Sequence, residues 1–251
     1  MGLGHITGHA PIRRLIARAV ARDTLPPCLV LTGPDGVGKR RVALALAEML
    51  NCEAVNPPEA GGPAAFPDAC GVCGACQRIA RGVHADVIII EPGETGSIRV
   101  DAVRAVVDQA AFRPFEGRRR VVIIDDADRL VPEAQNALLK TLEEPPSASV
   151  FLLVTSRPHL LLATVRSRCP ELRFGGLLTD EIADILVTWH RFNPTTALAA
   201  LVCGVMPAAS ASSLAVSARP SISAVRMLAR AGSPISAATL AIRGPSFMLR
   251  C

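Results

Sequence analysis

The sequence predicts an α/β protein with a parallel sheet flanked by helices. Three observations carry that expectation. Short apolar strands without polar alternation take turns with amphipathic helices, the pattern of a sheet covered on both faces. The loop Gly33-Pro34-Asp35-Gly36-Val37-Gly38-Lys39 falls between the first strand and the helix after it, and a later strand ends in Asp125-Asp126.

Along the chain, residues 11–22 place Ile12, Leu15, Ile16, Ala19 and Val20 at helical spacing with arginines between them. A buried strand follows at 28–32, then the glycine loop, then a helix over 41–50. A Pro/Gly-rich insertion at 57–67 and a cysteine cluster precede a second strand at 87–90. A helix over about 99–111 leads through the basic run Arg118-Arg119-Arg120 into a third strand at 121–124. Pro132 suits the first turn of a helix that ends near Glu144, before Pro145-Pro146, and a fourth strand spans 150–154. Beyond Phe174-Gly175-Gly176 the pattern changes. Thr179, Asp180 and Glu181 are placed to cap a helix to about Arg191.

The 251 residues suffice for one large or two modest domains with a sizeable core. No apolar run approaches the roughly 20 residues that span a bilayer, and no charged-then-apolar segment opens the chain. A cytoplasmic protein without membrane contact is therefore expected, and in that compartment clustered cysteines point to metal before disulfide. The net charge of +5 is unevenly spread: all 22 acidic residues lie at or before Asp184, against 21 basic ones there, while the last 67 residues hold six arginines and no acid. The basic balance belongs to the tail and is no argument for a nucleic-acid surface on the ordered part. Basic residues are arginine except for Lys39 and Lys140, and both lysines fall inside motifs.

The loop from Gly33 to Lys39 fits G-x-x-x-x-G-K, whose backbone N–H groups cradle phosphates while the lysine reaches the terminal ones. Arg40 stands where a Ser/Thr hydroxyl would bind Mg²⁺, so nucleotide binding is expected to outlast metal positioning and hydrolysis. In Val121-Val122-Ile123-Ile124-Asp125-Asp126, Asp125 is the candidate to hold Mg²⁺ through water, and Asp126 to orient an attacking water. Cys70, Cys73 and Cys76 form C-x2-C-x2-C, with Cys52 as fourth ligand of a closed structural Zn²⁺ site; a redox pair or an iron–sulfur centre are the alternatives. Cys28 and Cys169, in apolar contexts, read as packing residues.

In this order the P-loop, the inserted cysteine cluster, Asp125-Asp126-Ala127-Asp128, the run Asn136-Ala137-Leu138-Leu139-Lys140-Thr141-Leu142-Glu143-Glu144-Pro145-Pro146 and Ser167-Arg168-Cys169 resemble the AAA+ clamp-loader ATPases of bacterial DNA polymerase III, over about residues 6–175. The opening, Ile6-Thr7-Gly8-His9 through Leu25-Pro26, is similar to the delta-prime branch of that family, whereas the gamma/tau motor branch usually begins with a Tyr-Arg-Pro segment absent here. Arg40 and Asp126 agree, since in the delta-prime branch the subunit's own nucleotide site often decays. The resemblance implies that Thr155 is the sensor of nucleotide and Arg168 an arginine finger offered to a neighbour's ATP; the alternative for Arg168 is a surface arginine with a local partner such as Glu171. It further implies gamma/tau and delta subunits as partners, the sliding clamp and primer-template DNA reached through the complex, and no polymerase active site in this chain. Rival readings are a gamma/tau-type motor ATPase and a zinc-bearing nucleotide-binding regulatory module outside replication.

The expected organisation is an AAA+ domain over 1–175 with a zinc module at about 52–76, the start of a helical lid over 176–202, and an atypical tail from 203 to 251. With neither acids nor an apolar period, that tail reads as disordered or as a shifted reading frame, so the helical C-terminal part is incomplete.

Overall fold

A computed structural model of the chain describes residues 2–54 and 68–190. The insertion at 57–67 and the tail from 203 onward, for which the sequence raised expectations, lie outside the described residues. The chain divides into two compact units, Met1–Leu177 and Leu178–Cys251.

In the first unit, α1 (Ala10–Ala21) buries Ile16 and Ala17. Leu15, part of the same apolar stripe, stays 54% exposed, so the buried face is narrower than the periodicity suggests. There follow β1 (Cys28–Thr32), α2 (Lys39–Asn51), α3 (Gly74–Ala80), β2 (Val87–Ile90), α4 (Val100–Ala110), β3 (Arg120–Ile124), α5 (Pro132–Glu143), β4 (Ser149–Thr155), α6 (Ala163–Arg166) and β5 (Glu171–Arg173). The five strands form one sheet in the order β2-β3-β4-β1-β5, with every neighbouring pair parallel. Because side chains alternate across a strand, each apolar run feeds two cores. Leu29, Leu31, Val121, Ile123, Leu152 and Val154 pack with α2 on one face. Val30, Val122, Ile124, Phe151 and Leu153 pack with α4 and α5 on the other.

The edge strand β5 and the helices α3 and α6 were not expected from the sequence. β5 offers one apolar residue between Glu171 and Arg173, and it is a strand because Leu172 pairs with Leu31 of β1. The basic run before β3 also differs from the expectation: Arg120 belongs to the strand and is buried against Asp86, which pairs with its guanidinium at 2.9 Å. The Asp86 carboxylate also accepts the backbone N–H groups of Phe115, Glu116 and Gly117 at 2.7–2.8 Å. Burial opposes its charge, but these three donors and the guanidinium outweigh it and hold the carboxyl down at about 2.

In the second unit, α7 (Thr179–His190) carries Asp180 and Glu181 in its first turn. Glu181 rather than Thr179 closes the helix start, its carboxylate accepting the Leu178 N–H at 2.9 Å. The acid three residues in thus reaches back to an otherwise unsatisfied donor.

Candidate functional site

Parallel pairing brings the carboxyl ends of the strands to one rim, where α/β sheets bind ligands. The strand order lines up Glu91 after β2, Asp125 after β3, Thr155 ending β4 and the P-loop after β1.

The loop leaves β1 at Gly33, whose φ of +146° and close approach to Phe174 admit no side chain: a Cβ there would lie 2.4 Å from the Phe174 carbonyl oxygen. Gly38, at φ +97°, turns the chain into α2. Lys39, the first residue of α2, is buried, and its Nζ donates to the carbonyls of Gly33 and Pro34 at 2.7 Å each. Burial lowers its pKa against the raising influence of Asp35, Asp125, Asp126 and Asp128. The N-terminal segment clasps the loop from outside: His9 Nε2 lies 2.9 Å from the Val37 carbonyl, and its ring meets Phe174 edge-on at 4.9 Å.

Arg40 turns across the rim. Its Nη1 donates to Asp125 Oδ2 at 3.1 Å and its Nη2 pairs with Glu91 Oε1. Burial raises the Asp125 pKa, while the Arg40 charge lowers it. Asp126 adopts the left-handed conformation, and its half-exposed carboxylate faces Arg129 at 3.5 Å. Thr155 is fully buried and its hydroxyl donates to Asp128 Oδ1 at 2.8 Å, while Arg157 grips Asp128 Oδ2 through Nε and Nη2 at 2.9 and 2.6 Å. Hydrogen bonds from Thr155 and Arg157 hold the Asp128 carboxyl below its usual range although burial opposes them.

Two members of this rim, Glu91 and Asp128, carry no role in the sequence reading. The pairing of Ile90 with Ile124 places Glu91 beside Asp125, and the signal for it is an acid following an apolar strand, as Asp125 follows β3. Asp128 closes Asp125-Asp126-Ala127-Asp128, a run the sequence does display.

Arg168 stands apart from this chain's P-loop, after α6. Its Nη1 donates to the Thr164 carbonyl at 2.8 Å and its Nη2 pairs with Glu143 at 2.5 Å. The local partner is therefore Glu143 of α5, not Glu171, which is occupied by Thr32 and Arg173 at 2.7 and 3.1 Å. Cys28 and Cys169 are both buried in the core, and the Cys28 thiol donates to the Arg168 carbonyl at 3.1 Å.

At the far end of α2, the sulfurs of Cys52, Cys70, Cys73 and Cys76 all lie within 4.8 Å of one another. Cys52 and Cys73 are 4.0 Å apart, close to the ~3.8 Å that tetrahedral bonds of ~2.3 Å impose. The N–H groups of Cys70, Cys73 and Cys76 point at the sulfurs of Cys52, Cys70 and Cys73 at 3.3–3.5 Å, which favours thiolates. Burial works against the Cys73 thiolate, but N–H donation from Cys76 and Glu53 and the neighbouring thiols bring it down to about 6. Cys52 and Cys76 are pushed up, chiefly by burial. Four convergent sulfurs make a closed ligand set that can hold a metal ion.

Comparison with known proteins places these features in a family. A family model described as DNA polymerase III, delta subunit, matches residues 8–177. The chain is 43% identical over 143 residues to the delta' subunit of DNA polymerase III from Pseudomonas aeruginosa, which covers 57% of this chain and 41% of that one. It is 33% identical over 177 residues to the tau subunit of Bacillus subtilis, covering 70% of this chain and 30% of the other. The chain thus spans less than half the length of these curated relatives. Among solved structures, a gamma subunit-related protein of Thermotoga maritima aligns with a TM-score of 0.50 at 23% identity, over 81% of this chain and 66% of that one. A RuvB mutant from the same organism aligns with a TM-score of 0.50 at 16% identity, over 78% and 57%. The fold is that of the AAA+ P-loop proteins.

Proposed function

This chain belongs to the DNA polymerase III delta-subunit family, and from that premise we propose that it is a clamp-loader subunit that supports ATP hydrolysis by its neighbours rather than performing it. Its partners are the gamma/tau and delta subunits, and through the complex it helps place the sliding clamp on primed DNA in the cytoplasm. Among the described residues no helix is long and apolar enough to cross a membrane.

The observation that carries this reading is Arg40. Phosphoryl transfer in P-loop enzymes uses a hydroxyl and a carboxylate to hold the metal that neutralises developing charge. Here the hydroxyl is replaced by a guanidinium, and that guanidinium is bound to the carboxylate, Asp125. The loop, Lys39 and the start of α2 remain suited to phosphate, so ATP is the candidate ligand without turnover. Thr155 acts as sensor through Asp128. Cys52, Cys70, Cys73 and Cys76 hold one structural zinc, which would tie α3 to the end of α2.

Arg168 serves in trans. Glu143 and the Thr164 carbonyl hold its guanidinium against this chain, and, exchanged from them to a neighbour's ATP, it counters charge building on the transferred phosphoryl group. The 33% identity to a tau subunit over 177 residues favours the motor reading as the second one, and Arg40 opposes it. Reconstitution with gamma/tau, delta, clamp and primed DNA tests the proposal. Arg168→Ala should assemble yet slow clamp-stimulated hydrolysis by roughly tenfold, less than the full ~10³–10⁵ of a finger because other fingers remain. Robust ATP turnover by this chain alone, lost in Lys39→Ala, would select the motor reading.

A further inference from the structure

The P-loop class implies a divalent metal, and the residues present do not fit one. Mg²⁺ demands near-octahedral oxygen ligation and gives up its waters reluctantly. Of the oxygens that would anchor it here, the hydroxyl is missing at Arg40, and Asp125 accepts from Nη1 of that same arginine at 3.1 Å. Glu91, a second acid on the rim, is paired with Nη2. A divalent cation entering between these carboxylates would displace a covalently tethered positive charge and sit beside it.

What remains is a site built for anions. The Arg40 side chain is 44% exposed and its partner Glu91 is 51% exposed, so that pair is open to solvent and weak. Asp125, with a side chain only 19% exposed, aims the guanidinium along the rim. Lys39 lies next to Arg40 in sequence, at the start of the 13-residue helix α2, with its ammonium against the loop. A guanidinium offers five donors in a planar fork that matches phosphate oxygens, which an ammonium does not.

We propose that this P-loop carries its own cation: Arg40 takes the place of the divalent metal, and the site binds nucleoside di- or triphosphates in their metal-free form. This rests on the nucleotide-binding reading of the loop given above. On binding, Arg40 exchanges Glu91 for the terminal phosphates while Asp125 keeps its orientation. A metal-complexed nucleotide binds less well, because it brings a second cation to the guanidinium and presents less negative charge to it.

Calorimetric titration of the full chain with ADP and with ATP, each in excess MgCl₂ and in EDTA, tests this. Wild type is expected to bind about threefold or more tightly in EDTA than in MgCl₂. Arg40→Ala, folded by circular dichroism, should lose about tenfold or more of the EDTA affinity. Arg40→Thr should reverse the order, binding better with Mg²⁺ and taking up Mn²⁺ in the presence of ADP, read by water-proton relaxation. Tighter binding by wild type in MgCl₂, an unaffected Arg40→Ala, or no nucleotide binding in either buffer overturns the proposal. Assembly with gamma/tau and delta, followed by co-elution, is a separate readout: a chain that assembles but binds nucleotide only with Mg²⁺ refutes only this inference, one that assembles but binds nucleotide in neither buffer refutes the nucleotide-binding reading with it, and one that binds but never assembles refutes only the clamp-loader reading.

Discussion

Asp86→Ala removes the charge that fastens the start of β3, the strand whose far end carries Asp125. The side chain is fully buried, accepts three N–H groups from residues 115–117 at 2.7–2.8 Å and pairs with Arg120 at 2.9 Å. Truncation leaves three backbone donors without their acceptor and a mostly buried guanidinium without its counter-charge, held only by the carbonyls of Gln109, Phe112 and Arg113, a loss of about 3–5 kcal/mol. These same contacts hold the carboxyl at about 2 in the folded chain against an ordinary 3.8, which corresponds to about 2 kcal/mol from protonation linkage alone. Since the folded value is the lower one, this contribution is complete well above pH 4 and is lost as pH falls toward 2. Urea titration of the full chain followed by circular dichroism should show the Asp86→Ala deficit at pH 7, and the deficit should be about 1 kcal/mol smaller at pH 3. A variant within about 0.5 kcal/mol of wild type at pH 7, or a deficit unchanged at pH 3, would refute the reasoning.

Three further outcomes are expected. Purified chain should contain one zinc by elemental analysis, and Cys73→Ser should release it and cost several kcal/mol of stability, because a closed site contributes to folding directly; absence of metal, or iron in its place, contradicts the assignment. In the reconstituted complex Glu143→Gln should weaken neighbour ATP hydrolysis less than Arg168→Ala, with the deficit relieved at low ionic strength, and an identical loss in both would mean that Glu143 does more than position the arginine. Gly33→Ala should destabilise by about 2 kcal/mol or more whether or not nucleotide is present, since its φ and the Phe174 carbonyl both exclude a Cβ; an unchanged urea midpoint would contradict this.

How legible the molecule was depended on whether its features were local. The strands β1 and β2 fall at the residues where the apolar runs begin and end, and β3 and β4 extend theirs by one or two, because such runs are buried on both faces and need no partner to announce themselves. β5 is invisible alone: its single leucine becomes a strand through β1. α3 begins at a glycine inside the cysteine cluster, with the Cys73 sulfur accepting the Cys76 N–H at its start, so its logic is that of the cluster and not of hydrophobic period. The P-loop and the cysteines were readable as contiguous motifs. The Arg40–Glu91 pair was not, because it arises from the register of β2 on β3, and Glu143 was missed as the partner of Arg168 because the two meet only when α5 packs near α6.

Gly33 has a consequence for how sequences of this kind are compared. Its lack of a side chain is demanded by the Phe174 carbonyl, an atom of the chain's own exit from the sheet, as much as by any phosphate. A descendant that abandoned nucleotide altogether would still be held to glycine there, while Arg40, which faces solvent and carboxylates, is free to drift with the chemistry. The residue after the lysine is therefore the better marker of which members of such a lineage still handle metal, and the first glycine records only that the sheet is closed in the same way.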